Sequence, residues 1–235
     1  MWEPSILCSL SMLLNGSLLR HDGTKCRCLH GEPTYQLKEA FQVRNRTLWR
    51  RYQNRSRRIV EKNKELGIGL EKMKPPVGDA LAEFGEELLV EWGQNEEILF
   101  HGTRTWEDAK KIVCQGFDNR VARESGLYGR GTYFATQTCK SAQYATTQGQ
   151  VKKATGQMVG TLLLARVAIG DPYNTTGRYD ESRLLPAGAS DIHADFICLV
   201  ALFLGCCFRH FLDVSALDSL SLHTYLFRLQ LMLTG

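Results

Sequence analysis

The chain lacks most of the short signatures that fix a function outright, and each absence removes a class. No Gly-x-x-x-x-Gly-Lys occurs, which excludes a phosphate-binding loop. The Gly129-x-Gly131 pair is no Rossmann fingerprint, because Phe134 stands where the third glycine belongs and no helix follows directly. The cysteines, Cys8, Cys26, Cys28, Cys114, Cys139, Cys198, Cys206 and Cys207, keep no regular spacing. That argues against a disulfide framework and for reduced, mostly buried thiols. His21, Cys26, Cys28 and His30 lie close together, but Cys-x-Cys-x-His does not match the spacing of structural zinc sites, so a loop and no metal are expected.

Membrane and export signals are equally thin. The uncharged run from Phe196 to Phe208 falls short of the roughly 20 residues a spanning helix needs. Met1-Trp2-Glu3-Pro4 puts an acid where a signal peptide carries Lys or Arg, and Ser9, Ser11 and Asn15 break the apolar stretch behind it. No signal peptide and no membrane contact are expected. N-glycosylation patterns begin at Asn15, Asn45, Asn54 and Asn174, but the pattern is short and arises by chance. The expected location is intracellular, nuclear and/or cytoplasmic. The net charge of +4 is too small to name a partner.

What is present is ordinary globular sequence with uneven charge. Residues 1–40 have weak periodicity and turn formers such as Asp22-Gly23, and form a poorly defined extension. From Phe41 to Glu65, Trp49, Tyr52, Ser56 and Ile59 recur at helical spacing and predict an amphipathic helix with a basic outer face. Its cluster from Arg50 to Arg58 makes nucleic acid a candidate partner, against the ordinary reading of a solvated face. Lys72–Gly78 reads as a linker and Ala80–Trp92 as a helix.

Further on, Glu97–Phe100 is a short strand that delivers His101-Gly102-Thr103. Thr105 with Asp108 makes a capping box, Ala109, Ile112 and Val113 give the helix behind it a buried stripe, and Gly116 closes it. Gly129–Ala135 is a glycine turn running into a strand, and Thr138–Ala145 a short helix with Ser141 and Tyr144 on one face. Met158–Ile169 is apolar enough for a central strand, ended by Gly170-Asp171-Pro172.

Singly, these pieces are weak. In this order and spacing, Leu99-Phe100-His101-Gly102-Thr103, Gly116-Phe117, Tyr128–Ala135 and Ser141-Ala142-Gln143-Tyr144 resemble the donor site of the poly(ADP-ribose) polymerase family. Phe41–Tyr52 is similar to the opening segment of its mono-ADP-ribosylating members, and the resemblance runs to about Asp195. It implies an α+β fold, with a mixed β-sheet core and flanking helices, over residues 41–195. The co-substrate it implies is NAD+, with no metal, and the acceptors are proteins. His101 would hydrogen-bond the adenosine ribose, Gly102 the nicotinamide amide through its backbone, and Ser141 would complete that contact. Tyr144 and Tyr133 would pack on the two faces of the nicotinamide ring, with Thr103 completing the set. His101 and Tyr133 stand as the catalytic pair.

Departures from the family pattern carry their own expectations. The chain-elongating members place a Glu on a late strand, and no Glu follows Glu181 here, so no late-strand carboxylate is expected and the product is single ADP-ribose units. An extracellular arginine-directed transferase would need a Glu-x-Glu pair, which is missing. Residues 196–235 do not match the family's closing strands and read as an atypical apolar tail, leaving those strands missing or replaced. The alternative to a transferase is therefore an inactive chain that serves as an NAD-binding or interaction module.

Overall fold

The apolar stretch that begins at Met158 demands cover on both faces, and it becomes the strand around which the fold is arranged. The computed structural model of the chain describes residues 10–15, 33–67, 96–121, 131–135, 138–145, 158–168, 171–175, 189–194, 199–202 and 224–233. A short helix, α1, occupies residues 10–15. Then come β1 (Pro33–Val43), α2 (Arg46–Glu65), β2 (Glu96–Thr103) and α3 (Trp106–Gln115). A 3-10 turn at Asn119–Val121 precedes β3 (Thr132–Ala135) and α4 (Thr138–Ala142). The remaining strands are β4 (Met158–Ala168), β5 (Asp171–Thr175), β6 (Ala189–Ala194), β7 (Leu199–Leu202) and β8 (Thr224–Leu233).

All eight strands join one sheet in the order β1-β8-β4-β2-β3-β7-β6-β5. Neighbours run antiparallel except β5 and β6, which are parallel, so the sheet is mixed and the class is α+β. Leu162, Leu163 and Leu164 are consecutive and all buried, which only cover on both faces of β4 allows. One face packs on α3, where Ala109 meets Leu163 with Trp106, Ile112 and Val113 around them. Leu99, Phe134, Ala165 and Val167 continue that layer beneath Phe117. The other face meets α4, where the buried Ser141 hydroxyl donates to the Phe100 carbonyl at 2.8 Å.

The helices start and stop where side chains satisfy their free backbone groups. Thr105 caps α3: its oxygen accepts the Asp108 N–H at 3.0 Å and its hydroxyl donates to Asp108 Oδ2 at 2.7 Å. Gly116 ends the helix with φ 89, and its N–H donates to the Ile112 carbonyl at 2.8 Å. A β-carbon there would strain the backbone and press on Leu48 of α2 at 3.2 Å. Asn45 does two things at once. Its Oδ1 accepts the Leu48 N–H at 3.1 Å and caps α2, while its Nδ2 donates to the carbonyls of Val113 and Cys114 at the end of α3.

Several expectations need correction. The helix expected from Phe41 begins at Arg46, because Phe41–Val43 completes β1 against β8. The extension expected over residues 1–40 supplies α1 and most of β1, fastened together by Asn15, whose Oδ1 accepts from Tyr35 N–H and whose Nδ2 donates to the Ser11 and Tyr35 carbonyls. The side chains of Asn15 and Asn45 are thus committed as donors, and a glycan on either would remove those bonds. Asp171-Pro172 opens β5 rather than only ending β4. Cys114 is exposed, an exception to the mostly buried thiols expected. The region 196–235, read as an atypical apolar tail that leaves the family's closing strands missing or replaced, contributes β7 between β3 and β6, and β8 between β1 and β4. Of the two expected outcomes it is replacement: these strands fill places in the sheet rather than leave them empty. The cluster from His21 to His30, the linker at Lys72–Gly78 and the helix at Ala80–Trp92 lie outside the described residues.

Candidate functional site

The site is built on one strand, β2, whose consecutive residues face opposite sides of the sheet. Leu99, His101 and Thr103 turn toward α3, and Phe100 and Gly102 toward α4. β2 pairs with β4 along its whole length, from Glu96↔Ala168 to Thr103↔Thr161. With β3 it shares a single register pair, Phe100↔Ala135, so the ladder stops before Gly102 and Tyr133. A sheet whose neighbouring strands separate at one end leaves backbone groups there for something other than a strand.

His101 sits at that separation. Its ring packs edge-on against Phe117, centroids 5.0 Å apart, and at a tilt against Phe134. Its Nδ1 lies 2.8 Å from the Tyr133 carbonyl. A carbonyl only accepts, so Nδ1 carries the proton and donates. Burial holds the imidazole below its usual pKa of 6.5, outweighing the Tyr133 carbonyl, which favours the charged form. The neutral ring with Nδ1 protonated leaves Nε2 as a bare acceptor, the partner a sugar hydroxyl requires.

Gly102 is a packing requirement. A β-carbon on it would stand 2.0 Å from the Ser141 carbonyl oxygen and 3.0 Å from the Ala145 nitrogen, both backbone atoms. Only glycine lets β2 come this close to α4. Ser141 is the clasp between them, since its hydroxyl proton is given to Phe100 and its oxygen keeps lone pairs to accept from a ligand. The expected helix over Thr138–Ala145 ends at Ala142, and Tyr144 follows in a turn whose N–H donates to the Ser141 carbonyl at 3.0 Å. Tyr144 is 54% exposed and the Lys140 ammonium stands over one face of its ring, 5.6 Å from the centroid, so stacking on a ligand falls to the other face. Thr103 is buried, and its hydroxyl donates to the Thr105 carbonyl at 3.2 Å, tying the strand end to the cap of α3.

Thus the structure brings His101, Gly102, Tyr133 and Ser141 together around one strand end, with Tyr144 one turn beyond Ser141. Sequence reasoning missed Phe117 and Phe134 as walls of the His101 pocket, although their apolar spacing around β3 and the end of α3 was visible. It also missed a carboxylate: β6 carries Asp191, paired with Leu202 of β7, which in turn pairs with Thr132 of β3. The expectation that no late strand bears a carboxylate holds for Glu and fails for Asp. Among the described residues no group of three or more His, Cys, Asp or Glu could hold a metal ion.

Comparison with known proteins fits this geometry. The sequence model of the poly(ADP-ribose) polymerase catalytic domain matches residues 21–192. Over 100 residues the chain is 31% identical to the protein mono-ADP-ribosyltransferase PARP3 of Mus musculus, covering 43% of this chain and 18% of that protein. Over 84 residues it is 34% identical to poly [ADP-ribose] polymerase 1 of Gallus gallus, covering 34% of this chain and 7% of that protein. The chain thus spans less than a fifth of the length of these curated relatives. It belongs to the poly(ADP-ribose) polymerase catalytic domain family.

Proposed function

We propose that the chain binds NAD+ at the end of β2 and transfers single ADP-ribose units from it to protein. The observation that carries this reading is the pairing of two committed donors. His101 spends its Nδ1 proton on Tyr133 and Ser141 spends its hydroxyl proton on Phe100, so both present acceptors beside a glycine that admits no side chain. A ribose hydroxyl and a carboxamide N–H are the donors such acceptors would take. Tyr133 and Tyr144 would hold the nicotinamide ring between them.

In the reaction the bond between ribose C1 and the nicotinamide nitrogen breaks, and the pyridinium leaves as neutral nicotinamide. The acceptor's nucleophile bonds to C1 and releases its proton to solvent. The transition state is oxocarbenium-like, as in glycoside hydrolysis. The protein's share is to fix the leaving group and the sugar while that charge develops.

The second reading, a binding module without turnover, draws on residues 196–235, which do not match the family's closing strands. Labelled NAD+ separates the two: the transferase releases nicotinamide and labels protein, whereas the module only binds. His101→Ala and Tyr133→Ala should each abolish binding or turnover, while Cys114→Ala, exposed at the end of α3, should change neither. Self-labelling by the His101 variant at the parent's level would show the assignment to be wrong. Long ladders on a gel would refute single-unit transfer, and Asp191→Asn would then show whether the β6 carboxylate supports elongation.

A further inference from the structure

The outer face of α2 carries a charge pattern that works against its own helix. Between Arg46 and Arg58 stand Arg46, Arg50, Arg51, Arg55, Arg57 and Arg58, with no acid among them, and all six are exposed. The first turn has no acidic residue to complement the helix dipole. Arg46/Arg50 and Arg51/Arg55 are like-charge pairs four apart, which repel. Among the described residues none of these arginines makes an ion pair; the ion pairs there join Lys110 to Glu107, Lys111 to Asp108 and Arg120 to Asp118. A bound polyanion relieves all of this at once.

The arrangement narrows the polyanion. Spacings of four and seven residues align Arg46, Arg50 and Arg57 along one side of the helix, continued by Lys64. Spacings of three and four align Arg51, Arg55 and Arg58 along the other, continued by Lys62. Between these rails runs a ridge of Thr47 and Asn54, followed at the C-terminal end by Glu61 and Glu65, which keep phosphates off that end.

Single strands are held by aromatic platforms, but Trp49 and Tyr52 stack on each other on the inward face, with Arg166 of β4 over Trp49. Lipid surfaces need a free apolar face, and α2 turns Leu48 toward Gly116 and Trp49 toward the sheet. A protein partner would need an apolar anchor between the rails, and the ridge offers none. Double-stranded RNA has a major groove too deep and narrow for a helix. B-form DNA has a major groove that admits one, with a phosphate strand on each wall.

We propose that the outer face of α2 binds B-form duplex DNA, lying in the major groove with one arginine rail on each phosphate strand. Thr47 and Asn54 face the base edges, and contact is mostly to the backbone, so sequence preference is slight.

Anisotropy titrations of the full chain test this with a labelled DNA duplex, its single strand, an RNA duplex and phosphatidylserine vesicles. The DNA duplex should bind at least about tenfold tighter than each of the others, with a log–log salt slope of about −5 for six phosphates. The triple change Arg51→Gln, Arg55→Gln, Arg58→Gln should cut the slope by about three and leave nicotinamide release and melting intact, as should the opposite-rail set Arg46→Gln, Arg50→Gln, Arg57→Gln. An unchanged slope in either variant overturns the proposal, and so does equal affinity for the single strand, the RNA duplex or the vesicles.

Discussion

His101 is the residue on which the proposed chemistry and the stability of the fold meet. In the folded chain its imidazole sheds its proton more readily than in the unfolded one, because burial disfavours the cation. Its contribution to stability is therefore fully present above the unfolded value of 6.5 and is lost as pH falls through the lower folded value. Protonation would also turn Nε2 from acceptor to donor. NAD+ affinity should hold constant from pH 8 to about 6.5 and weaken below it, with a midpoint under the ordinary histidine value. Calorimetric titration across that range checks this, and a midpoint above 6.5 contradicts the buried, neutral ring.

Gly102 makes a sharper demand. In Gly102→Ala the new methyl meets the Ser141 carbonyl, backbone that can yield only if α4 moves. Overpacking of this kind costs about 1–3 kcal/mol, and here it also displaces Ser141, so NAD+ binding should fall further than stability does. Ser141→Ala separates the two effects. It leaves the Phe100 carbonyl without its hydroxyl partner, for roughly 1–3 kcal/mol, with no steric shift. Thermal melts and NAD+ titrations of both variants read the difference.

At the scale of elements, caps and periodicity were legible and boundaries less so. Thr105, Asp108 and Gly116 could be placed from sequence because a cap is a local interaction between residues close in the chain. Asn45 could not be read that way: half of its work is done on α3, across a distance in sequence that no local pattern reveals. Asn45→Ala should therefore cost more than an ordinary cap, above the typical ~1 kcal/mol, because two α3 carbonyls lose a partner as well. Asn45→Asp tests this division. It keeps the cap, loses the donors, and should fall between parent and alanine in a denaturant melt. His101 to Thr103 and Ser141 were visible as motifs. Their closeness was not, since the approach of β2 to α4 rests on a clash that only three dimensions show. The helical spacing of Trp49, Tyr52, Ser56 and Ile59 says nothing of Phe41–Val43 just before it, and pairing with β8 makes that segment strand.

At the scale of the molecule, the last strand was the hardest to foresee. Thr224–Leu233 contains Leu229, Leu231 and Leu233 alternating with Gln230 and Met232, a strand pattern lost in a region that matched nothing around it. β8 pairs with β1 from Pro33 to Val43 and with β4 from Met158 to Ala165, so it is the only bridge between them in the described sheet. A chain ending before Thr224 should expose the edge of β4 and leave β1 unpaired, and should aggregate on expression. Proline at Leu226, in the middle of the bridge, should cost on the order of 1–3 kcal/mol through the lost ladder bond alone. Full solubility of the truncated chain would contradict the placement of β8.

The same bridge sets a timetable for synthesis. β8 leaves the ribosome long after its partner β1, because Pro33 pairs with Leu233, 200 residues further along the chain. At about 5–20 residues per second that wait is on the order of ten seconds or more. Throughout it the nascent chain carries an unpaired strand and a half-covered β4, the kind of surface that recruits chaperones. Slowing translation should therefore not help this protein fold, as it does proteins whose partners emerge together, and should lower its soluble yield by prolonging the exposure.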